Sequence, residues 1–151
     1  MRLEKCLMLL PGRKIAKGAI ETEGAFITKL FVIPGLVNAH GHTAMTLLRG
    51  QGCGLELKRW LEEAIFPIEA KMAPRHIRAG VRLGALEMLR GGTTLVADMY
   101  DFPASGGQAF ENAGFKANIC RVGLNFVEGR LDDCVNFTRR WNAVDHAGVV
   151  A

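Results

Sequence analysis

The spacing of apolar residues changes period several times along this chain. Phe31-Val32-Ile33-Pro34-Gly35-Leu36-Val37-Asn38-Ala39 is a strand-like apolar run. Pro34-Gly35 breaks it, so a turn is followed by a second short strand, Leu36–His40. Thr43–Arg49 reads as a short helix or turn ended by Gly50, and Gln51-Gly52-Cys53-Gly54 as a loop. Leu57, Trp60, Leu61 and Ala64 recur at helical spacing and predict a helix over 55–65 that Pro67 interrupts. Ala73-Pro74 opens the clearest helix, because proline loses nothing by lacking an N–H in the first turn. Ile77, Val81, Gly84, Ala85, Met88 and Leu89 form its apolar stripe, Arg75, Arg78, Arg82 and Glu87 lie off it, and Gly91-Gly92 ends it. Thr93–Met99 is then a buried strand. The pattern repeats with a helix near 104–113, a strand over 115–123 and a helix over 131–141 in which Leu131, Val135 and Thr138 are spaced three or four apart. Gly148-Val149-Val150-Ala151 begins another strand. Residues 1–30 are less regular; partial alternation over 19–28 about Gly24 is consistent with a hairpin. Strand–helix alternation with short glycine-rich connections implies a parallel sheet with right-handed crossovers.

Composition narrows the class. The 151 residues suit one domain, and 49% hydrophobic with 23% charged residues is ordinary for a soluble globular protein. Lys and Arg exceed Asp and Glu by 19 to 15, but Arg49, Lys58, Arg59, Arg75, Arg78 and Arg82 are scattered. A dense basic stripe with interleaved aromatics is absent, so no nucleic-acid partner is expected. Cys6, Cys53, Cys120 and Cys134 form neither a Cys-x-x-Cys pair nor a disulfide framework, which suggests reduced thiols in the cytoplasm. No apolar stretch approaches the ~20 residues of a membrane span, and Cys6–Leu10 is too short for a signal-peptide core.

Candidate chemistry sits at the end of the apolar run. In an extended strand, positions i and i+2 face the same way. His40 and His42 therefore present two imidazoles on one face, able to chelate one ion. Zinc, iron, nickel and copper all accept imidazole nitrogen. Gly41 faces the other side.

The segment Val32-Ile33-Pro34-Gly35-Leu36-Val37-Asn38-Ala39-His40-Gly41-His42-Thr43-Ala44-Met45-Thr46-Leu47-Leu48-Arg49-Gly50 resembles the first barrel strand and following turn of the amidohydrolase superfamily. The resemblance is closest to the branch of 5′-methylthioadenosine/S-adenosylhomocysteine deaminases and chlorohydrolase-like enzymes. Trp60-Leu61-Glu62, Pro67-Ile68-Glu69-Ala70-Lys71, Glu87–Thr94 and Asp98-Met99-Tyr100 extend it. It implies a (β/α)8 barrel beside a small β-sandwich, with one catalytic divalent metal (zinc, or else iron) at the C-terminal strand ends. That metal activates water for attack on an electron-poor ring carbon, from which ammonia or chloride leaves. On this resemblance His40 and His42 are the first two metal ligands. Trp60 packs on a purine ring, Glu69 bonds ribose hydroxyls, and Arg121 and Arg130 reach an amino-acid tail, whose carboxylate suits a guanidinium fork.

Each residue also has a plainer role. Trp60 can cover the core, Glu69 can pair with Lys71 or Arg75, and Arg121 can form an internal ion pair, for instance with Asp98. His76 is expected on a solvated helix face, His146 in a loop, and Met45 and Met72 in packing. The expected fold is a partial (β/α)8 barrel of three to four β/α units. Residues 1–30 would be the remnant of a shortened β-sandwich and 31–151 the barrel segment, since a full barrel takes ~250 residues. The later ligands and the glutamate proton shuttle have no candidates here, so no catalytic residue is assigned within the chain. The implied function is hydrolytic deamination of an adenosine-like small molecule in the complete enzyme, with triazine- or guanine-type hydrolysis as the variant. The alternative from another class is a non-catalytic α/β module that associates with itself or a partner through open sheet edges.

Overall fold

The computed structural model describes residues 2–10, 14–21, 31–123 and 127–151, with side chains from Ile33 onward. It divides into two compact units, residues 1–35 and residues 36–151.

In the first unit, β1 (Arg2–Leu10) and β2 (Lys14–Glu21) pair antiparallel, with a register shift between Leu3 and Cys6. A two-residue β3 (Phe31–Val32) lies parallel to β1 on its other edge. The hairpin expected over 19–28 falls partly within the described residues. Residues 19–21 end β2, and 22–28 lie outside the described residues.

The second unit carries a parallel sheet in the order β4 (Leu36–Gly41), β5 (Thr93–Met99), β6 (Lys116–Cys120) and β7 (Val149–Val150). Between β4 and β5 run a 3-10 turn (Thr43–Leu48), α1 (Leu57–Arg59), a π turn (Trp60–Ile65), α2 (Phe66–Glu69) and α3 (Pro74–Arg90). The later crossovers are α4 (Pro103–Asn112) and α5 (Arg130–Trp141). This is the strand–helix alternation expected from the apolar pattern. Along β6, Ala117 and Ile119 are buried while Lys116, Asn118 and Cys120 are exposed, so one sheet face carries the helices and the other stays open. Ile77, Val81 and Ala85 of α3, Ala109 and Phe110 of α4, and Phe137 and Trp141 of α5 join Val96, Ala117 and Ile119 in one core. No helix among the described residues is long and apolar enough to cross a membrane.

Several local expectations are corrected. Pro67 does not interrupt the helix. The Phe66 N–H reaches back five residues to the Leu61 carbonyl. This wider turn lets the chain pass a proline that has no N–H and would crowd the carbonyl four residues before it. Leu89 is exposed, because it lies about 120° round the helix from Ile77. On α5 the buried residues are Phe137 and Trp141; Leu131 and Val135 point roughly the opposite way and are exposed. The third sheet strand ends at Cys120 rather than at residue 123.

The 3-10 turn after β4 is seated by two glycines one helical turn apart on α3. A Cβ at Gly80 would sit 2.3 Å from the Ala44 carbonyl oxygen, and one at Gly84 would sit 2.5 Å from Thr43 Cγ2. Backbone therefore packs on backbone here, which fixes the segment that follows His42. Gly80→Ala is expected to destabilise the fold by about 1–3 kcal/mol through overpacking. Gly106→Ala serves as the contrast. Its Cβ would meet Val81 Cγ2 at an ordinary 3.7 Å, and replacing a mid-helix glycine gains about 0.5–1 kcal/mol. Urea unfolding of both variants measures the difference.

Candidate metal centre and adjoining cavity

His40 and His42 lie at the C-terminal end of β4, where the sheet neighbour of Gly41 is Asp98 of β5. Their rings meet edge to face, with Nε2 of one 3.2 Å from Nε2 of the other. Two ligands about 2.0–2.1 Å from a tetrahedral zinc stand about 3.3 Å apart, so the spacing fits a shared ion. His42 Nδ1 lies 2.7 Å from the Met99 carbonyl oxygen. A carbonyl only accepts, so Nδ1 carries the hydrogen and the neutral ring keeps its Nε2 lone pair for a ligand role. The two imidazoles therefore fit a divalent metal by spacing and by tautomer. Among the described residues no cluster of three or more His, Cys, Asp or Glu side chains forms a complete ligand set.

The strand bends sharply after His42, whose φ of −129° and ψ of 66° depart from strand values. Asp98 fixes that bend. Its Oδ1 accepts the Thr43 N–H and the Thr43 hydroxyl, each at 2.6 Å. Asp98 is 4% exposed and makes no ion pair with a described residue. Burial pushes its carboxyl above the ordinary aspartate value, while the two Thr43 donors pull the other way. Gly41 makes room beneath the histidines, since a Cβ there would lie 3.2 Å from Val96 Cγ2.

A cavity of about 490 Å³ opens beside His42. Trp60, Glu69 and Arg130 all line it, so the structure gathers three of the four residues expected to contact substrate next to one of the two histidines. The π turn and α2 carry Trp60 and Glu69 to this wall. Trp60 is half-buried, with Nε1–H donating to the Gln51 carbonyl at 3.0 Å. Glu69 pairs with neither Lys71 nor Arg75; the Tyr100 hydroxyl donates a short hydrogen bond to its Oε1. Arg130 is held by Asp101 at 3.2 Å. Phe102 borders the same space in a left-handed conformation, φ 50°, which costs about 1–2 kcal/mol for a residue with a Cβ.

Arg121 stands apart. It lines a second cavity of about 290 Å³ with Asp133 and Arg140. Asp133, at 3.8 Å, replaces the suggested partner Asp98, and the Arg121 Nε is buried without a hydrogen-bond partner among the described residues. His76 is not on a solvated face; it is half-buried and its Nδ1 accepts the Ala73 N–H at 2.9 Å, capping α3. His146 does lie in a loop, stacked on Trp141 and 3.3 Å from Glu111. Met45 and Met72 pack against the core as expected. Sequence reasoning missed the Met99 carbonyl, Tyr100 and Asp101. The available signal was three polar side chains, Asp98, Tyr100 and Asp101, clustered at the end of an apolar strand.

Comparison with known proteins follows the same outline. The amidohydrolase family profile matches residues 31–143. A 5-methylthioadenosine/S-adenosylhomocysteine deaminase of Natronomonas pharaonis is 48% identical over 105 residues, covering 67% of this chain and 24% of that protein. A 5′-deoxyadenosine deaminase of Methanothrix thermoacetophila is 40% identical over 116 residues, covering 77% of this chain and 28% of that protein. The chain thus spans about a quarter of the length of these relatives. An adenosine deaminase from Xanthomonas campestris, solved with bound zinc, superposes with a TM-score of 0.63 at 30% identity, over 81% of this chain and 30% of that one. An atrazine chlorohydrolase from Arthrobacter aurescens shares the fold, with a TM-score of 0.69 at 19% identity over 99% of this chain and 45% of that one.

Tyr100 is the chain's only tyrosine, which makes its environment measurable. Burial, then the hydrogen bond and charge of Glu69, raise its pKa well above the ordinary value. Its stabilising contribution is therefore complete below the unfolded value of about 10 and is lost as pH rises through the folded value. In an alkaline titration, tyrosinate absorbance is expected to appear only with unfolding. Glu69→Gln should bring ionisation to lower pH. Ordinary ionisation of the folded parent would contradict the buried pair.

Proposed function

Because this chain belongs to the amidohydrolase family, we propose that it supplies two metal ligands and one wall of the substrate pocket of a hydrolase that releases ammonia from an adenosine-type substrate. Its α/β unit is a partial barrel of the (β/α)8 type. The observation that carries the reading is the 3.2 Å convergence of the His40 and His42 ring nitrogens, with the His42 tautomer set by Met99. These two residues hold a divalent ion, zinc by preference and iron as the alternative. Catalytic zinc takes three protein ligands, so the remaining ligands and the proton shuttle come from other barrel strands. When bound, such an ion supplies Lewis acidity that lowers the pKa of a coordinated water to about 7.

The chain's own residues bind and orient. Trp60 offers an aromatic surface to the purine ring. With one Glu69 oxygen engaged by Tyr100, the other is left for the ribose hydroxyls. Arg130, already steered by Asp101, points a guanidinium at an anionic tail, and Arg121 serves the same tail from the neighbouring cavity. The relatives at 40–48% identity are named for adenosine-type substrates, which favours that class. Guanine- and triazine-type relatives under 25% identity share the fold alone. Residues 1–30 fit the remnant of a small β-sandwich. The outer edges of β4 and β7 are unpaired among the described strands and can accept further strands, from the rest of a barrel or from a second copy. A cytoplasmic setting and a small-molecule partner complete the reading.

The test is ammonia release by a polypeptide that joins this segment to the remaining barrel strands. 5′-Methylthioadenosine is expected to be deaminated. His40→Ala or His42→Ala should reduce the rate roughly 1000-fold, since a Lewis acid contributes several kcal/mol. Turnover of guanine or a triazine, with none of the adenosine derivative, would overturn the substrate assignment.

A further inference from the structure

We propose that Asp98 is a positioning residue for the metal centre, acting through Thr43 to hold the His42 ring and placing a negative charge behind the ion. The inference rests on the metal reading above and deepens it. The end of β5 grips His42 from two sides. Met99 takes the ring through its carbonyl at 2.7 Å. One residue earlier, Asp98 takes the backbone just beyond His42 through two 2.6 Å hydrogen bonds from Thr43. The bend at His42 is set between these grips. Among the described residues His40 has no comparable support: its backbone N–H donates to Asn38 Oδ1 at 3.3 Å, and its ring nitrogen meets His42 alone. His42 is thus the fixed ligand and His40 the adjustable one.

The carboxylate has a second property. It is buried and lacks a cationic partner among the described residues. A buried charge is retained at a cost unless hydrogen bonds and an opposite charge compensate it. Thr43 supplies the hydrogen bonds. The ion between the two imidazoles would supply the charge, across Gly41, which is the sheet neighbour of Asp98.

A clamp that merely staples β5 to the turn would affect folding but not the quality of the metal site, and three substitutions separate the two roles. Thr43→Ser keeps both donors, Thr43→Val removes the hydroxyl at similar shape, and Asp98→Asn keeps an acceptor oxygen but removes the charge. Zinc affinity of the polypeptide that joins this segment to the remaining barrel strands is measured by competition with a chromophoric chelator. The cobalt(II) absorption spectrum is recorded alongside, with circular dichroism as the check on folding. The parent is expected to bind one ion, and His40→Ala and His42→Ala to lose it. Asp98→Asn and Thr43→Val should bind at least ~10-fold more weakly, the usual range for residues supporting a ligand, and Thr43→Val should shift the cobalt spectrum. Thr43→Ser should restore the parent's values. Parent-like affinity and spectrum in both Asp98→Asn and Thr43→Val would overturn the inference while leaving the metal reading intact. Zinc binding that survives loss of both histidines would overturn the metal reading and the inference together. If Thr43→Val does not fold, Asp98→Asn decides the question.

Discussion

A buried carboxylate with no cationic partner among the described residues constrains the rim of this sheet. Asp98 is drawn into the layer between β5 and the 3-10 turn, and it is satisfied there by a single residue, Thr43, which gives both its N–H and its hydroxyl. That pair of hydrogen bonds fixes where the chain leaves β4. It sets the bend at His42 and brings the His42 ring within reach of the Met99 carbonyl, beside a Gly41 whose Cβ would lie a tight 3.2 Å from Val96 Cγ2. The same turn then lies against α3 so closely that Gly80 and Gly84 have backbone and side-chain atoms where a Cβ would be. Helix, turn and strand end are thereby coupled, and displacement of one shifts the histidines.

The cavity beside the histidines is built by a different device. A proline ten residues after the start of a helical stretch would ordinarily end it. Here the helix widens for one turn instead, and the widening swings Trp60, Ile65, Phe66 and Glu69 onto one wall. The polar groups that reach the cavity are mostly pre-paired: Glu69 with Tyr100, and Arg130 with Asp101. Side chains held in this way lose less freedom when a ligand arrives, which favours recognition by a preorganised site. A mostly apolar cavity with a few fixed polar groups, next to two convergent imidazoles, is the arrangement expected of a small-molecule site.

Much of this was legible in the chain itself. The strand that delivers His40 and His42, the helix from Pro74 to Arg90 and the strand Thr93–Met99 follow directly from apolar period and from proline and glycine punctuation. The π turn was hidden, because proline chemistry read locally predicts a break, whereas tertiary packing keeps the helix going. The buried side of α5 was misjudged because Leu131 and Val135 are apolar but lie on the open side, while the bulk of Phe137 and Trp141 wins the core. The antiparallel β1–β2 pair was also missed, although Pro11-Gly12 separates its strands in the sequence. The site's supports were the least legible part. A carbonyl ligand such as that of Met99 has no sequence signature, and the Tyr100–Glu69 contact joins residues 31 positions apart.

The central claim is that the end of β5 holds His42 in one tautomer with its Nε2 free for an ion. Nitrogen-15 NMR of the imidazole rings in the metal-free chain tests it most directly, because only four histidines are present. The neutral His42 ring is predicted to carry its hydrogen on Nδ1, with an unprotonated Nε2 whose resonance moves when zinc is added. A His42 ring protonated on Nε2, or one exchanging freely between tautomers, would contradict the account.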